Sequence, residues 1–180
     1  YHLNLKPMNY PILETERLIL KPMQPEDASF LLELLNSPKW LEHIGDRNVH
    51  SIAEAEQYIT ERMLPQLDRL GYSNNTIILK ETGAKIGVCG IYHREGLEGV
   101  DLGFAFLPAY EKKGYAYESA TTLIQAAFTQ YDIAQLKAMT THTNLASQKL
   151  LEKLGFQHIE NIFIPNDEEE LRLYELKKEM

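Results

Sequence analysis

Two short stretches of this chain could hold an anion. The first, Glu111-Lys112-Lys113-Gly114-Tyr115-Ala116, follows the run Asp101-Leu102-Gly103-Phe104-Ala105-Phe106-Leu107-Pro108 and opens a helical pattern. A strand that enters a glycine turn at a helix start leaves the amide N–H groups of the first helical turn without intrahelical partners. The helix dipole adds positive potential at the same point. Gly114 tolerates a positive φ and lets a ligand approach the backbone, and Lys112 and Lys113 bring charge. A diphosphate fits such a spot. The second stretch, Asn144-Leu145-Ala146-Ser147, starts another helix, which Gly155 closes from the left-handed region. Each stretch also has an ordinary reading, as a solvated basic turn and as a plain N-cap. Two helix starts in adjacent units could share one long phosphate-bearing ligand. The chain contains neither Gly-x-x-x-x-Gly-Lys-Ser/Thr nor Gly-x-Ser-x-Gly, so a P-loop and a nucleophile elbow are not supported.

The elements that must position these stretches follow from periodicity and punctuation. Ile12 to Leu20 ends in an alternating β-branched run and predicts a first strand. Pro25, with Glu26 and Asp27 behind it, starts a helix carrying Phe30, Leu31, Leu34 and Leu35, which Asn36-Ser37-Pro38 stops. Ser51 and Glu54 form a capping box for a second helix running to about Leu64 or just past Pro65. Strands are predicted over 76–80, 85–94 and 100–107, with Val100, Leu102, Phe104 and Phe106 on one face of the last. Ala116, Ala120, Leu123, Ile124, Ala127, Phe128 and Tyr131 recur at helical spacing. A fifth strand over 136–141 and the Asn144 helix follow. A terminal antiparallel pair over 156–164 and 171–176 turns at Pro165-Asn166-Asp167. This order implies a mixed α/β (α+β) sheet covered on both faces.

Composition bounds the function. At 180 residues and 44% hydrophobic content the chain reads as one domain, 1–180. Residues 1–10 read as an extension or cloning remnant, since Met8 could be the initiator. The formal net charge of -8 argues against bulk attraction to nucleic acid or an anionic membrane. No apolar run reaches the ~20 residues a membrane span needs, and no signal peptide is evident. The single cysteine, Cys89, excludes an internal disulfide and suits a reducing, cytoplasmic setting. In its glycine-flanked strand Cys89 reads as buried and inert. His43, His50, Glu42 and Asp46 have no convincing metal-ligand spacing, so no metal is expected. Glu168-Glu169-Glu170 reads as a solvated turn.

The strand–turn–helix, followed by Asn144-x-x-Ser147 and by Leu151-Glu152-Lys153-Leu154-Gly155-Phe156, resembles the GNAT superfamily of acetyl-CoA-dependent N-acetyltransferases. Leu13-Glu14-Thr15-Glu16-Arg17-Leu18-Ile19-Leu20, Ile86-Gly87-Val88-Cys89-Gly90 and Gly114-Tyr115-Ala116-Tyr117-Glu118-Ser119-Ala120 are similar to its RimJ/RimL branch, which acts on ribosomal proteins. The resemblance covers nearly everything from Ile12 to Leu176. It implies a three-layer fold: a mixed, mostly antiparallel sheet of about seven strands, flanked by about four helices and splayed between its fourth and fifth strands. It implies acetyl-CoA as co-substrate and transfer of its acetyl group to a primary amine, a protein N-terminal α-amine or a small-molecule amine, by direct attack in a ternary complex. Partners would be acetyl-CoA and the amine acceptor, with the chain a monomer or homodimer.

Residue by residue, the resemblance places the diphosphate on Lys112, Lys113, Gly114, Tyr115 and Ala116. Pantetheine would lie on the backbone of Phe104, Ala105 and Phe106, and Asn144 and Ser147 would touch its arm. Glu111 departs from the family pattern and adds an unfavourable charge unless it points away or Lys112 offsets it. Leu151 stands where many relatives carry a tyrosine, so Ser147 is the natural group to stabilise the departing thiolate. The base is expected among Asp101, His142 and His93. By alternation Asp101 lies on the face opposite Phe104 and Phe106 unless a bulge intervenes. Trp40, His43 and Tyr72 could line the acceptor cleft, although Trp40 reads more simply as core, and Glu118 reads as structural. Because Glu111 and Leu151 depart from the pattern, a non-catalytic acyl-CoA-binding module is the alternative; an interaction domain without ligand is a third reading.

Overall fold

The structure, a computed structural model, describes residues 10–179; Met8 and the expected extension lie outside the described residues except at its end. The elements are β1 (Leu13–Glu14), β2 (Leu18–Pro22), α1 (Ala28–Leu35), α2 (Pro38–His43), α3 (Ile52–Arg62), α4 (Leu64–Leu70), β3 (Asn74–Leu79), β4 (Lys85–Tyr92), β5 (Asp101–Phe106), α5 (Tyr115–Thr129), β6 (Gln135–Thr141), α6 (Leu145–Lys153), β7 (Gln157–Ile162) and β8 (Leu171–Lys177). The sheet order is β1-β2-β3-β4-β5-β6-β8-β7. Every neighbouring pair is antiparallel except β5 and β6.

Three departures from the expected element list have local causes. The first strand is split, because Thr15 turns the chain and its amide bonds the Leu18 carbonyl at 2.9 Å. The expected fourth and fifth strands are therefore β5 and β6. Asn36-Ser37-Pro38 ends α1, but Pro38 also begins α2, where a first-turn proline loses no hydrogen bond. The second expected helix breaks at Met63, because Pro65 cannot donate and instead starts α4.

Strand side chains alternate between the two faces. On one face Leu18, Leu20, Ile77, Leu102, Leu136 and Ala138 pack beneath Ala120, Leu123, Ile124 and Ala127 of α5 and Leu151 of α6. Val100, Phe104 and Phe106 join this cluster, as alternation requires. On the other face Met23, Val88 and Leu107 meet Phe30, Leu31, Leu34 and Leu35 of α1 and Ala55 and Ile59 of α3. The pairing of β4 with β5 has no register shift. Gly87 opposes Phe106 there, and a Cβ on Gly87 would stand 2.4 Å from the Phe106 ring, so the glycine lets that ring lie across β4. Cys89 is fully buried; desolvation pushes its thiol up to about 12, against a hydrogen bond to Ser119, so it carries no thiolate at neutral pH.

Candidate active site

β5 delivers the chain through a single 3-10 turn, Pro108–Tyr110, into the basic turn before α5. Lys112 has φ of 60° and Gly114 φ of 82°, so two left-handed residues curl the backbone there. The first helical hydrogen bond runs from the Glu118 amide to the Gly114 carbonyl at 3.0 Å. Among the described residues no acceptor takes the amides of Lys112 through Tyr117. These free donors stand at the start of a 15-residue helix, whose dipole adds positive potential there. Glu111 does not spoil it. The Lys39 ammonium of α2 meets its carboxylate at 2.5 Å, so the offset comes from Lys39 and not from Lys112.

Beside this turn the sheet opens. β5 and β6 run parallel and share one register pair, Asp101 with Lys137, held by the Lys137 amide on the Val100 carbonyl at 2.9 Å. Beyond it the strands part. The Leu107 amide bonds Ile86, so in the β4–β5 ladder Ala105 and Gly103 turn their backbone groups toward β4, and Phe104 and Phe106 turn theirs into the gap. Ala105 was expected among the gap-lining backbones, and its amide is committed to β4 instead. The Lys178 amide on the Ala134 carbonyl sets the same alternation in β6, which leaves Met139 and Thr141 facing the gap. Sequence reasoning missed these two, although strand alternation, counted from either partner, contains the signal. The Thr141 carbonyl is already taken by the Gln148 amide at 3.1 Å.

α6 begins at the open end of the gap. Asn144 caps it, its Oδ1 accepting the Ser147 amide at 3.2 Å, while the half-buried Ser147 hydroxyl has no partner among the described residues. Leu151 is 1% exposed and belongs to the core under α6. α2 spans the opening: Lys39 is tied to Glu111 on one side, and His43 Nδ1 lies 3.3 Å from Thr141 Oγ1 on the other. Trp40, between them, packs against the α1–α3 cluster with its indole N–H buried and unpartnered.

The other expected side chains are engaged elsewhere. Asp101 sits at the closed end of the gap, 2% exposed, with both oxygens on Arg94 Nε at 2.8 and 2.9 Å. Burial pushes its carboxyl up, and Arg94 opposes that shift. It faces away from Phe104 and Phe106, as alternation requires. His142 bonds Glu170 at 3.0 Å, which draws its ring toward β8 and away from the gap. His93 lies 3.3 Å from Arg69, and Tyr72 stacks on Tyr131 at 5.1 Å, both at the far end of α5. Among the described residues no three His, Cys, Asp or Glu side chains converge as a metal site.

Glu118, one turn into α5, receives the Thr15 hydroxyl and two groups of Arg17. Burial pushes its carboxyl up, but these donors outweigh it and hold the group below its ordinary 4.5. A carboxyl depressed in the folded state contributes stability above the unfolded value that is lost as pH falls through the folded one. Glu118→Gln therefore lowers the melting temperature near neutrality and loses that deficit on acidification. Melting curves of both proteins, followed from about pH 6 to about pH 3, converge if this is right and stay parallel if it is not.

Comparisons with known proteins give the family and the fold. The acetyltransferase (GNAT) domain profile matches residues 17–157. This chain belongs to the GNAT family. It is 31% identical over 147 residues, 81% of this chain and 82% of the relative, to an N-acetyltransferase of Bacillus licheniformis called p20 and described as uncharacterized. A second uncharacterized N-acetyltransferase, YoaA of Bacillus subtilis, is 27% identical and covers 82% of this chain and 84% of its own length. An acetyltransferase structure from Agrobacterium tumefaciens superposes with a TM-score of 0.78 at 26% identity, covering 93% of this chain and 95% of that one. The structure of RimL, an α-N-protein acetyltransferase of ribosomal L7/L12 in complex with coenzyme A, gives 0.79 at 17% identity over 93% and 98%, a likeness of fold. The chain is thus a GNAT acetyltransferase, with the mixed, splayed sheet its sequence implied. No helix among the described residues is long and apolar enough to cross a membrane.

Proposed function

We propose that the chain is a single acetyltransferase domain that transfers the acetyl group of acetyl-CoA to a primary amine, by direct attack in a ternary complex. The observation that carries this reading is the parting of β5 and β6 beside a helix start whose amides are free. A thioester arm needs a slot lined with backbone donors and acceptors, and its diphosphate needs amides and positive potential at one end. The residues present fit both needs. Acetyl-CoA supplies the activated acetyl group. The turn Lys112–Ala116 takes the diphosphate, Phe104 and Phe106 hold the arm from β5, and Met139 faces it from β6. A gap-facing N–H of β5 stabilises negative charge developing on the carbonyl oxygen.

The acceptor enters on the α2 side, past Trp40 and His43. His43 reaches from α2 to Thr141 Oγ1, at the end of the β6 strand that lines the gap, so we assign proton removal from the amine to it, in place of Asp101 and His142. Ser147 donates a hydrogen bond to the departing thiolate; loss of its own proton is too unfavourable to invoke. The acceptor is a protein N-terminal α-amine or a small amine. RimL-like action is supported by the fold and by the motifs at the N-terminal strand and the α5 turn.

Release of CoA from acetyl-CoA across a panel of amines and N-terminal peptides tests the reading. Release that never exceeds the blank, despite tight acetyl-CoA binding, would return the chain to the acyl-CoA-binding module. Ser147→Ala and His43→Ala then separate the two roles. Loss of a hydrogen bond to a charged leaving group lowers kcat about ten- to hundredfold with little change in acetyl-CoA KM. His43→Ala lowers kcat at neutral pH and recovers as alkali deprotonates the amine. Full activity in either variant removes that residue from the mechanism.

A further inference from the structure

We propose that Arg17, anchored by Glu118, is a positioning residue that aims the Gly114 amide at the diphosphate of acetyl-CoA. The proposal rests on the reading that the turn before α5 takes that diphosphate.

Arg17 lies in the bend between β1 and β2. The registers Leu18 with Leu79, Ile78 with Lys85 and Gly87 with Phe106 bring that bend to the sheet end where β5 passes into α5. Three links fix the guanidinium. Nε donates to Glu118 Oε1 at 2.7 Å, Nη1 donates to the Lys113 carbonyl at 3.1 Å, and the plane covers the Tyr115 ring at 4.4 Å. Glu118 is itself held, because its Oε2 accepts the Thr15 hydroxyl at 2.5 Å and the Arg17 amide at 3.1 Å.

The consequence is geometric. In a trans peptide the C=O and the following N–H point in opposite directions. Drawing the Lys113 carbonyl toward the β1–β2 bend therefore turns the Gly114 N–H the other way, into the run of free amides. Nη2 of Arg17 stands 3.3 Å from the point a Cβ would occupy on Gly114, so the guanidinium also braces the left-handed residue from behind. There is an electrostatic part as well. Glu118 puts a negative charge in the first helical turn, where it would repel a diphosphate, and Arg17 neutralises it. A lysine could do one of these things but not all, because it lacks the planar fork.

Steady-state kinetics of the full chain with acetyl-CoA and with acetyl-pantetheine, which has no diphosphate, test the proposal. Arg17→Gln raises the KM for acetyl-CoA about tenfold, leaves kcat within about twofold and leaves the acetyl-pantetheine KM unchanged. Arg17→Lys falls between. An unchanged acetyl-CoA KM, or an equal rise for both substrates as general loosening would give, overturns the positioning role. Should Arg17→Gln fail to fold, Arg17→Lys decides by the same two constants. A wild-type protein that uses both substrates with the same KM overturns the diphosphate reading itself, and is distinguished by appearing before any variant is made.

Discussion

Gly114→Val raises the acetyl-CoA KM about ten- to hundredfold, the strain of a β-branched residue in the left-handed region alone being about 1–3 kcal/mol. Gly114 has φ of 82° and is the N-cap of α5. A valine there either adopts that strained conformation or moves the turn, and in both cases the amides of Lys112 through Tyr117 cease to converge. Its side chain would also press on the Arg17 guanidinium, 3.3 Å from the nearest Cβ position. Isothermal titration with CoA reads the loss directly. Unchanged affinity would move the diphosphate away from α5 and leave the splayed strands without their phosphate anchor. The folded fraction should stay high, because the turn is exposed and contributes little to either core cluster.

Asp101→Asn has a large effect of another kind. The carboxylate is buried at the closed end of the gap, and its charge is balanced by Arg94 through two hydrogen bonds. An asparagine keeps the shape but leaves the guanidinium, itself about one third exposed, without its counter-charge. Unfolding is easier by about 2 kcal/mol, less than for a fully buried pair because Arg94 can partly rehydrate. That is a fall in melting temperature of about 4–8 °C for a chain of this size. Turnover at a temperature where both proteins are folded stays within about threefold if, as proposed, His43 and not Asp101 takes the proton. A collapse of kcat with unchanged melting would restore Asp101 as the base. The substitution therefore separates a carboxylate that seals the sheet from one that does chemistry.

Much of this architecture is legible in the sequence because its causes are local. Gly114 before an apolar helical stripe, Asn144 with Ser147 at a helix start, and Gly155 at its end each require a particular backbone conformation, and each adopts it. The even residues of β5 share one face because side chains alternate along a strand. Short helices were harder to read. α2 spans only Pro38–His43, too few residues to show a period, and its proline looks the same whether it stops one helix or starts another. Pro65 hid the break between α3 and α4 for the same reason.

By itself the sequence determined the order of strand, turn and helix, the left-handed glycine before α5 and the capped start of α6, all within a few residues of chain. Tertiary structure alone decided which backbone groups the parting of β5 and β6 leaves free. It also decided that Lys39 cancels Glu111 across 72 positions, that Arg17 reaches Glu118 across 101, and that His142 leans to Glu170 while His43 meets Thr141. The physical reason is one of range. Backbone conformation responds to neighbours along the chain, whereas charge pairing and exposure depend on which surfaces the packed core brings together.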